Sequence, residues 1–201
     1  IRKDLIANSK VFHIGSLSLT SEPVKSATFY ALELAKEYGC IISYDPNYRA
    51  PLWDSREKAI EGMRSVLSYV DVMKLSDEET ELLTGISDPE MAAKKLLENG
   101  ISIVAVTLGA DGALICTKEG CEHVKGYQVR MVDTTGAGDS FWGGFLTQLL
   151  DSGKMPCEVS LKEAAAFADY GNAVASLCVE KRGAIPAMPT KAEVEKRIKG
   201  L

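Results

Sequence analysis

The stretch Asp133-Thr134-Thr135-Gly136-Ala137-Gly138-Asp139-Ser140, continued by Phe141-Trp142-Gly143-Gly144-Phe145-Leu146, decides the fold. A β-like run through Val132 stops at Asp133. Small residues follow, and then Phe141, Phe145 and Leu149, with Trp142, Leu146 and Leu150, recur at helical spacing. The spacing predicts a helix with Gly136-Ala137-Gly138 at its N-terminus. Backbone N–H groups there lack intrahelical partners, and the peptide dipoles present their positive end. Such an end receives an anion such as phosphate, and glycine lets the backbone approach it closely. Asp139 falls in the first turn, where a carboxylate can take a proton from an attacking hydroxyl. The same residues also read as a tight turn with an acidic residue suited to the dipole. Neither GxxxxGK[ST] nor a full GxGxxG is present.

The chain has 201 residues, 46% hydrophobic and 25% charged, with a formal net charge of -5. That is enough for one domain, residues 1–201, with a sizeable core. No basic block points to nucleic acid or a membrane surface. No apolar run approaches the roughly 18 residues of a membrane span. The five cysteines, Cys40, Cys116, Cys121, Cys157 and Cys178, are odd in number and have no metal-ligand spacing. They read as reduced thiols in the cytoplasm, although a hairpin could set Cys116 against Cys121. His13 and His123 are isolated and read as packed or surface residues.

Working outward, Val11–Ile14 reads as a buried strand closed by Gly15. Residues 22–38 read as a helix with Ser21 as N-cap, Gly39 past its end, and Val24, Ala27, Ala31, Leu34 and Ala35 on its apolar face. Residues 40–44 are the next strand, and a strand, helix and strand joined this closely make a parallel βαβ unit. The polar turn Asp45-Pro46-Asn47-Tyr48-Arg49 follows at a strand's C-terminal end, where open α/β sheets bind ligands; composition alone also allows a solvated surface turn. Residues 55–69 read as a helix and 70–75 as a strand. Ser76 and Glu79 form a capping box, as do Ser160 and Glu163, and Thr190 and Glu193 cap a last helix. Asp88-Pro89 opens a helix that Asn99-Gly100 ends. Residues 101–108 form a β-branched strand, Asp111-Gly112 marks a hairpin turn, 113–116 a strand, and 118–126 a polar hairpin or loop. Residues 161–179 form a helix rich in alanine.

Asp133-Thr134-Thr135-Gly136-Ala137-Gly138-Asp139 resembles the signature D-T-x-G-A-G-D of the ribokinase/PfkB sugar-kinase family at every signature position. The resemblance implies that Asp139 is the catalytic base and that the Gly136, Ala137 and Gly138 amides form an anion hole. Asp45-Pro46-Asn47-Tyr48-Arg49, with Leu52-Trp53, is similar to wording in the fructokinase and 2-keto-3-deoxygluconate kinase branches. It implies sugar- or phosphate-site roles for Asn47 and Arg49. Glu79 matches the Glu of the family's N-x-x-E motif, which helps place Mg²⁺ through waters, while Ser76 replaces the Asn. Thr107-Leu108-Gly109-Ala110-Asp111-Gly112 resembles T-x-G-x-x-G, implying that Thr107, Gly109 and Gly112, with Gly138, lie beside the nucleotide. Asn172 matches an Asn next to the adenine, and residues 181–189 resemble the loop that closes over it. Backbone carbonyls near Asp133 and Thr135 would hold a monovalent cation such as K⁺.

The resemblance implies an α/β fold of ribokinase type, a mainly parallel sheet with helices on both faces. It further implies a chain corresponding to the C-terminal two-thirds of a family member, without the N-terminal part and the β lid through which members dimerise. The implied function is ATP-dependent phosphorylation of a sugar hydroxyl with Mg²⁺, and the wording reads most like bacterial fructokinases. 2-Keto-3-deoxygluconate, ribose or a nucleoside are the alternative acceptors. A non-catalytic nucleotide-binding module is the alternative of another class. A dinucleotide-binding dehydrogenase is disfavoured, because no acidic residue follows a GxGxxG at the required distance.

Overall fold

The computed structural model describes residues 1–200, which divide into two units. The first comprises residues 1–106 with 155–157, and the second residues 107–154 with 158–200.

In the first unit, helix α1 (Lys3–Ala7) leads into strand β1 (Val11–Gly15), helix α2 (Val24–Glu37) and strand β2 (Ile41–Asp45). Helix α3 (Arg56–Arg64), strand β3 (Val72–Ser76), helices α4 (Asp77–Thr84) and α5 (Pro89–Leu97), and strand β4 (Ile103–Thr107) follow. The strands neighbour one another in chain order, and β1–β2 and β2–β3 are parallel. All five residues of β2 are buried. A strand covered on both faces is what a parallel sheet with crossover helices produces. Leu32, Ile42, Tyr44, Met63, Met73 and Leu75 fill this core.

Three local expectations fail here, each for a physical reason. Ser21 does not cap α2: its carbonyl accepts the Lys25 N–H, while the Glu22 carboxylate takes the Ser26 N–H and replaces the cap. The helix therefore starts at Val24, which is exposed, and Thr28 and Leu32 join the buried face. The helix expected over 55–69 stops at Arg64, with Ser55 as its N-cap. The Ser65 hydroxyl bonds the Gly62 carbonyl, and the Ser65 N–H is shared between the Glu61 and Gly62 carbonyls, so the last turn tightens and closes.

The second unit holds strands β5 (Ala113–Thr117) and β6 (Gly120–Val124), then helices α6 (Ala137–Ser152), α7 (Leu161–Cys178) and α8 (Lys191–Ile198). β5 and β6 form an antiparallel hairpin with Cys116 directly opposite Cys121. Their Cα atoms are 4.1 Å apart and the two are joined as a disulfide. This corrects the reading of all five cysteines as reduced thiols: cross-strand register, which a count cannot show, makes the pair. Cys40, Cys157 and Cys178 are free. The β-like run expected up to Val132 is also not a strand. Val132 and Asp133 both donate to the Val179 carbonyl just past α7, and the Met131 and Val132 side chains are exposed.

The core of this unit lies between α6 and α7. Phe145 is fully buried, stacks on Trp142 at 4.8 Å and meets Phe167 edge-on at 5.8 Å. The two helices approach closely through glycine: a Cβ on Gly171 would lie 2.7 Å from the Phe141 carbonyl oxygen. Among the described residues no helix is long and apolar enough to cross a membrane. Replacing Phe145 with alanine should cost about 3–5 kcal/mol of stability by leaving a cavity in this cluster. Urea denaturation would measure it, and a loss below about 1 kcal/mol would show that the packing centre lies elsewhere.

Candidate active site

Helix α6 starts at Gly136, whose φ of +78° is left-handed and whose Cβ, were there one, would lie 2.6 Å from Ala184 Cβ. Both facts require glycine there. No side chain caps this helix end. The Ala137 N–H bonds the Thr134 carbonyl and the Ser140 N–H bonds the Gly136 carbonyl. The Gly138 and Asp139 N–H groups make no hydrogen bond to any described residue, and the Asp139 side chain is exposed beside them. An uncapped helix start with two open amides and a carboxylate can hold an anion and accept a proton next to it.

The segment before the helix is tied down by Asp133. Its carboxylate accepts the Gly183 N–H at 2.9 Å, and the Thr135 N–H and hydroxyl at 2.9 and 2.7 Å. Those donors, Gly183 first, pull its pKa down to about 2. The loop over residues 181–189 is thereby joined to the start of the signature.

A cavity of about 220 Å³ lies in the same unit, lined by Gly109, Gly126, Tyr127, Ala137, Asn172 and Val179 among others. The turn that brings Gly109 and Gly126 to it is built by close backbone contact. Gly112, at φ +96°, would put a Cβ 2.1 Å from the Val124 carbonyl oxygen, and the Gly126 N–H bonds the Asp111 carbonyl. Asn172 is buried rather than exposed, and its amide nitrogen donates to the Val124 and Lys125 carbonyls at 3.1 and 3.2 Å. It thus clamps the end of β6 to α7 at the cavity wall. The Tyr127 hydroxyl donates to Asp169 at 3.0 Å, and burial, then the Asp169 charge, pushes its pKa up to about 12.

In the first unit the turn after β2 carries Asn47 and Arg49. Asn47 has φ +46°, unusual for a residue other than glycine. The Asp45 carboxylate accepts the Asn47 N–H at 3.1 Å, and its other oxygen accepts the Lys74 ammonium at 2.8 Å in a buried ion pair. The Tyr48 N–H donates to Glu79 at 2.7 Å, so Glu79 and the Asn47–Arg49 turn are brought together. Glu79 also accepts the Ser76 N–H and hydroxyl, completing the expected capping box. Its two oxygens take three hydrogen bonds, leaving about one lone-pair direction for a metal-bound water. A cavity of about 360 Å³ beside it is lined by Tyr48, Arg49, Arg56, Ser76 and Glu79. Among the described residues no three His, Cys, Asp or Glu side chains group as a metal site. Sequence reasoning missed Asp45 and Lys74 as site elements. The signal was a lone lysine in the otherwise apolar run Val72-Met73-Lys74-Leu75.

Residues 1–191 match the model of the pfkB family of carbohydrate kinases. The chain belongs to this family. Among similar curated proteins is one named "Probable fructokinase-5" from Arabidopsis thaliana, 45% identical over 201 residues, 99% of this chain and 61% of that protein. Solved structures agree with the fold. A fructokinase double mutant from Vibrio cholerae O395, described as bound to fructose, ADP and potassium ion, matches with a TM-score of 0.84 and 32% identity, over 93% of this chain and 59% of that one. A fructokinase with bound ATP from Xylella fastidiosa matches with a TM-score of 0.84 and 27% identity, over 100% of this chain and 64% of that one. The chain therefore spans less than two thirds of the length of each of these relatives.

The Asp133 tie holds an ionised carboxylate, so it is at full strength above about pH 4 and fades as the pH falls toward 2. Wild-type stability should accordingly drop more steeply across that window than that of Asp133→Asn, which does not titrate. Chemical denaturation at several acidic pH values would read the difference, and parallel curves would refute the tie.

Proposed function

We propose that this chain carries the nucleotide site and catalytic base of an ATP-dependent sugar kinase, with fructose as acceptor and the two units acting as one kinase domain. The observation that carries the reading is the uncapped, glycine-opened start of α6 with Asp139 in its first turn. Bound Mg·ATP would supply the γ-phosphoryl group and the metal charge that offsets its negative oxygens. Asp139 takes the proton of the sugar hydroxyl, and the open amides of Gly138 and Asp139 stabilise the charge on the group in flight; the Ala137 amide, expected to join them, is held by the Thr134 carbonyl. The cavity beside Gly109, Tyr127 and Asn172 receives the nucleotide, with Thr107 and Gly112 in the turn below it. Glu79 orients metal-bound water, and Asn47 and Arg49 hold the sugar. Carbonyls near Asp133 and Thr135 form a monovalent-cation site. The proposed compartment is the cytoplasm: three of the five cysteines, Cys40, Cys157 and Cys178, are free thiols, against which stands the Cys116–Cys121 disulfide.

The donor set suits these groups. Open amides and a glycine turn suit phosphates, and a carboxylate with one spare lone-pair direction suits a metal that keeps its waters. The similarity to proteins named as fructokinases supports the sugar.

A coupled ADP-release assay with Mg·ATP, comparing fructose, 2-keto-3-deoxygluconate and ribose, tests the reading. Turnover is expected with fructose. Asp139→Ala should lower kcat by about a thousandfold or more while leaving ATP affinity nearly unchanged. Lost ATP binding with normal turnover would remove Asp139 from its role. ATP binding without turnover of any sugar would favour a non-catalytic nucleotide-binding module.

A further inference from the structure

We infer that Lys74 is a positioning residue for the sugar side of the site, acting through Asp45 on the backbone of Asn47. The inference rests on the sugar-kinase reading for its kinetic test but stands on geometry of its own.

Lys74 and Asp45 occupy neighbouring parallel strands near their C-terminal ends, and their side chains are 8% and 5% exposed. Lys74 donates to one Asp45 oxygen at 2.8 Å, and the other oxygen accepts the Asn47 N–H at 3.1 Å. A carboxylate that accepts the N–H two residues on closes a local turn in which asparagine tolerates the left-handed region, and Asn47 sits there at φ +46°. Two further contacts hold the neighbouring residues: the Ser16 N–H donates to the Pro46 carbonyl at 3.1 Å, and the Tyr48 N–H to Glu79 at 2.7 Å. Every residue from Asp45 to Tyr48 is thus pinned, and Lys74 brings a cation to that set of pins.

Stability does not require this arrangement. A buried ion pair gains little over apolar side chains of the same volume, because desolvation offsets the attraction. An apolar pair, however, could not present a fixed acceptor to the Asn47 N–H. Lys74 orients the Asp45 carboxylate, Asp45 holds Asn47 in its left-handed conformation, and that conformation sets the direction from which Asn47 and Arg49 leave the backbone. Truncating Lys74 removes the ammonium that orients this buried carboxylate and weakens its hold on the Asn47 N–H.

Three variants separate positioning from mere structural support. Lys74→Met removes the ammonium from one Asp45 oxygen. Asp45→Asn with Lys74→Met removes the charge but keeps an oxygen to accept the Asn47 N–H. Asp45→Ala with Lys74→Met removes both charge and acceptor. Lys74→Met should raise the fructose KM about tenfold or more, with the ATP KM unchanged. The Asn/Met double variant should return the fructose KM to near the wild-type value. The Ala/Met double variant should match its thermal stability yet keep the raised KM. An unchanged KM in Lys74→Met, or equal recovery in both double variants, would overturn the inference. If Lys74→Met does not fold, the two double variants carry the comparison. If the wild type phosphorylates no sugar, the sugar-kinase reading fails on its own. Crystal structures of the double variants then decide the positioning role. Asn47 left-handed in Asn/Met but relaxed to negative φ in Ala/Met supports it, and left-handed in both overturns it.

Discussion

The amide groups left open at the start of α6 are the constraint on which the candidate site depends. Five other helices, α3, α4, α5, α7 and α8, begin with a side chain that takes up one of these orphan donors: Ser55, Ser76, Asp88, Ser160 and Thr190. Such a cap is worth about 1 kcal/mol. Helix α6 starts instead on Gly136, which has no side chain to offer and fits where a Cβ would strike Ala184. The amides that a serine would have satisfied remain available to an anion. The chain gives up a small local stabilisation there, and the helix stays in place because Trp142, Phe145 and Phe167 pack behind it.

Much of this was legible because it is local. A capping box is written in residues three apart, and all three readings at Ser76, Ser160 and Thr190 match the structure. The glycines of the signature and the Asp88-Pro89 helix start belong to the same class. What was not legible depends on partners distant in sequence or on competition among close neighbours. Ser21 looks like a cap until Glu22 reaches the same turn. Cys116 and Cys121 look like two of five free thiols until strand register sets them face to face. Residues 127–132 alternate well enough for a strand, yet Val132 and Asp133 find their acceptor at Val179, some 47 positions on. Periodicity records which side of an element is apolar; it carries no information about which carbonyl a given N–H will reach.

Two of the residues that the family resemblance assigns to ligands, Glu79 and Asn172, make internal hydrogen bonds in the structure. These roles are compatible because a carboxylate or carboxamide has more hydrogen-bonding capacity than the fold uses. Glu79 closes a capping box and holds the Tyr48 N–H, and that engagement fixes the orientation of whatever capacity remains. Asn172 uses its amide nitrogen twice on the Val124 and Lys125 carbonyls, which leaves its oxygen at the cavity wall. A flexible side chain would have to be ordered when ligand arrives, at an entropy cost the bound complex must offset. Residues already locked by the fold avoid it.

The same reasoning explains why an exposed carboxylate such as Asp139 can still be accurately placed. Its side chain touches little, but its backbone belongs to a helix whose next turn is wedged against α7. Gly144 brings its backbone to the Val174 side chain and the Gly171 backbone, where an added Cβ would lie 2.9 and 3.1 Å away, and Gly171 in turn lies under the Phe141 carbonyl. Glycine and alanine at such contacts remove the side-chain layer that normally spaces two helices, so the pair has little freedom to slide. The small residues of α7, which bear no reactive group, thus bear on chemistry through α6. They fix the axis of the helix whose first turn carries the amides and the carboxylate, and in the proposed kinase reading a base held on a rigid axis has less orientation to lose in reaching its transition state.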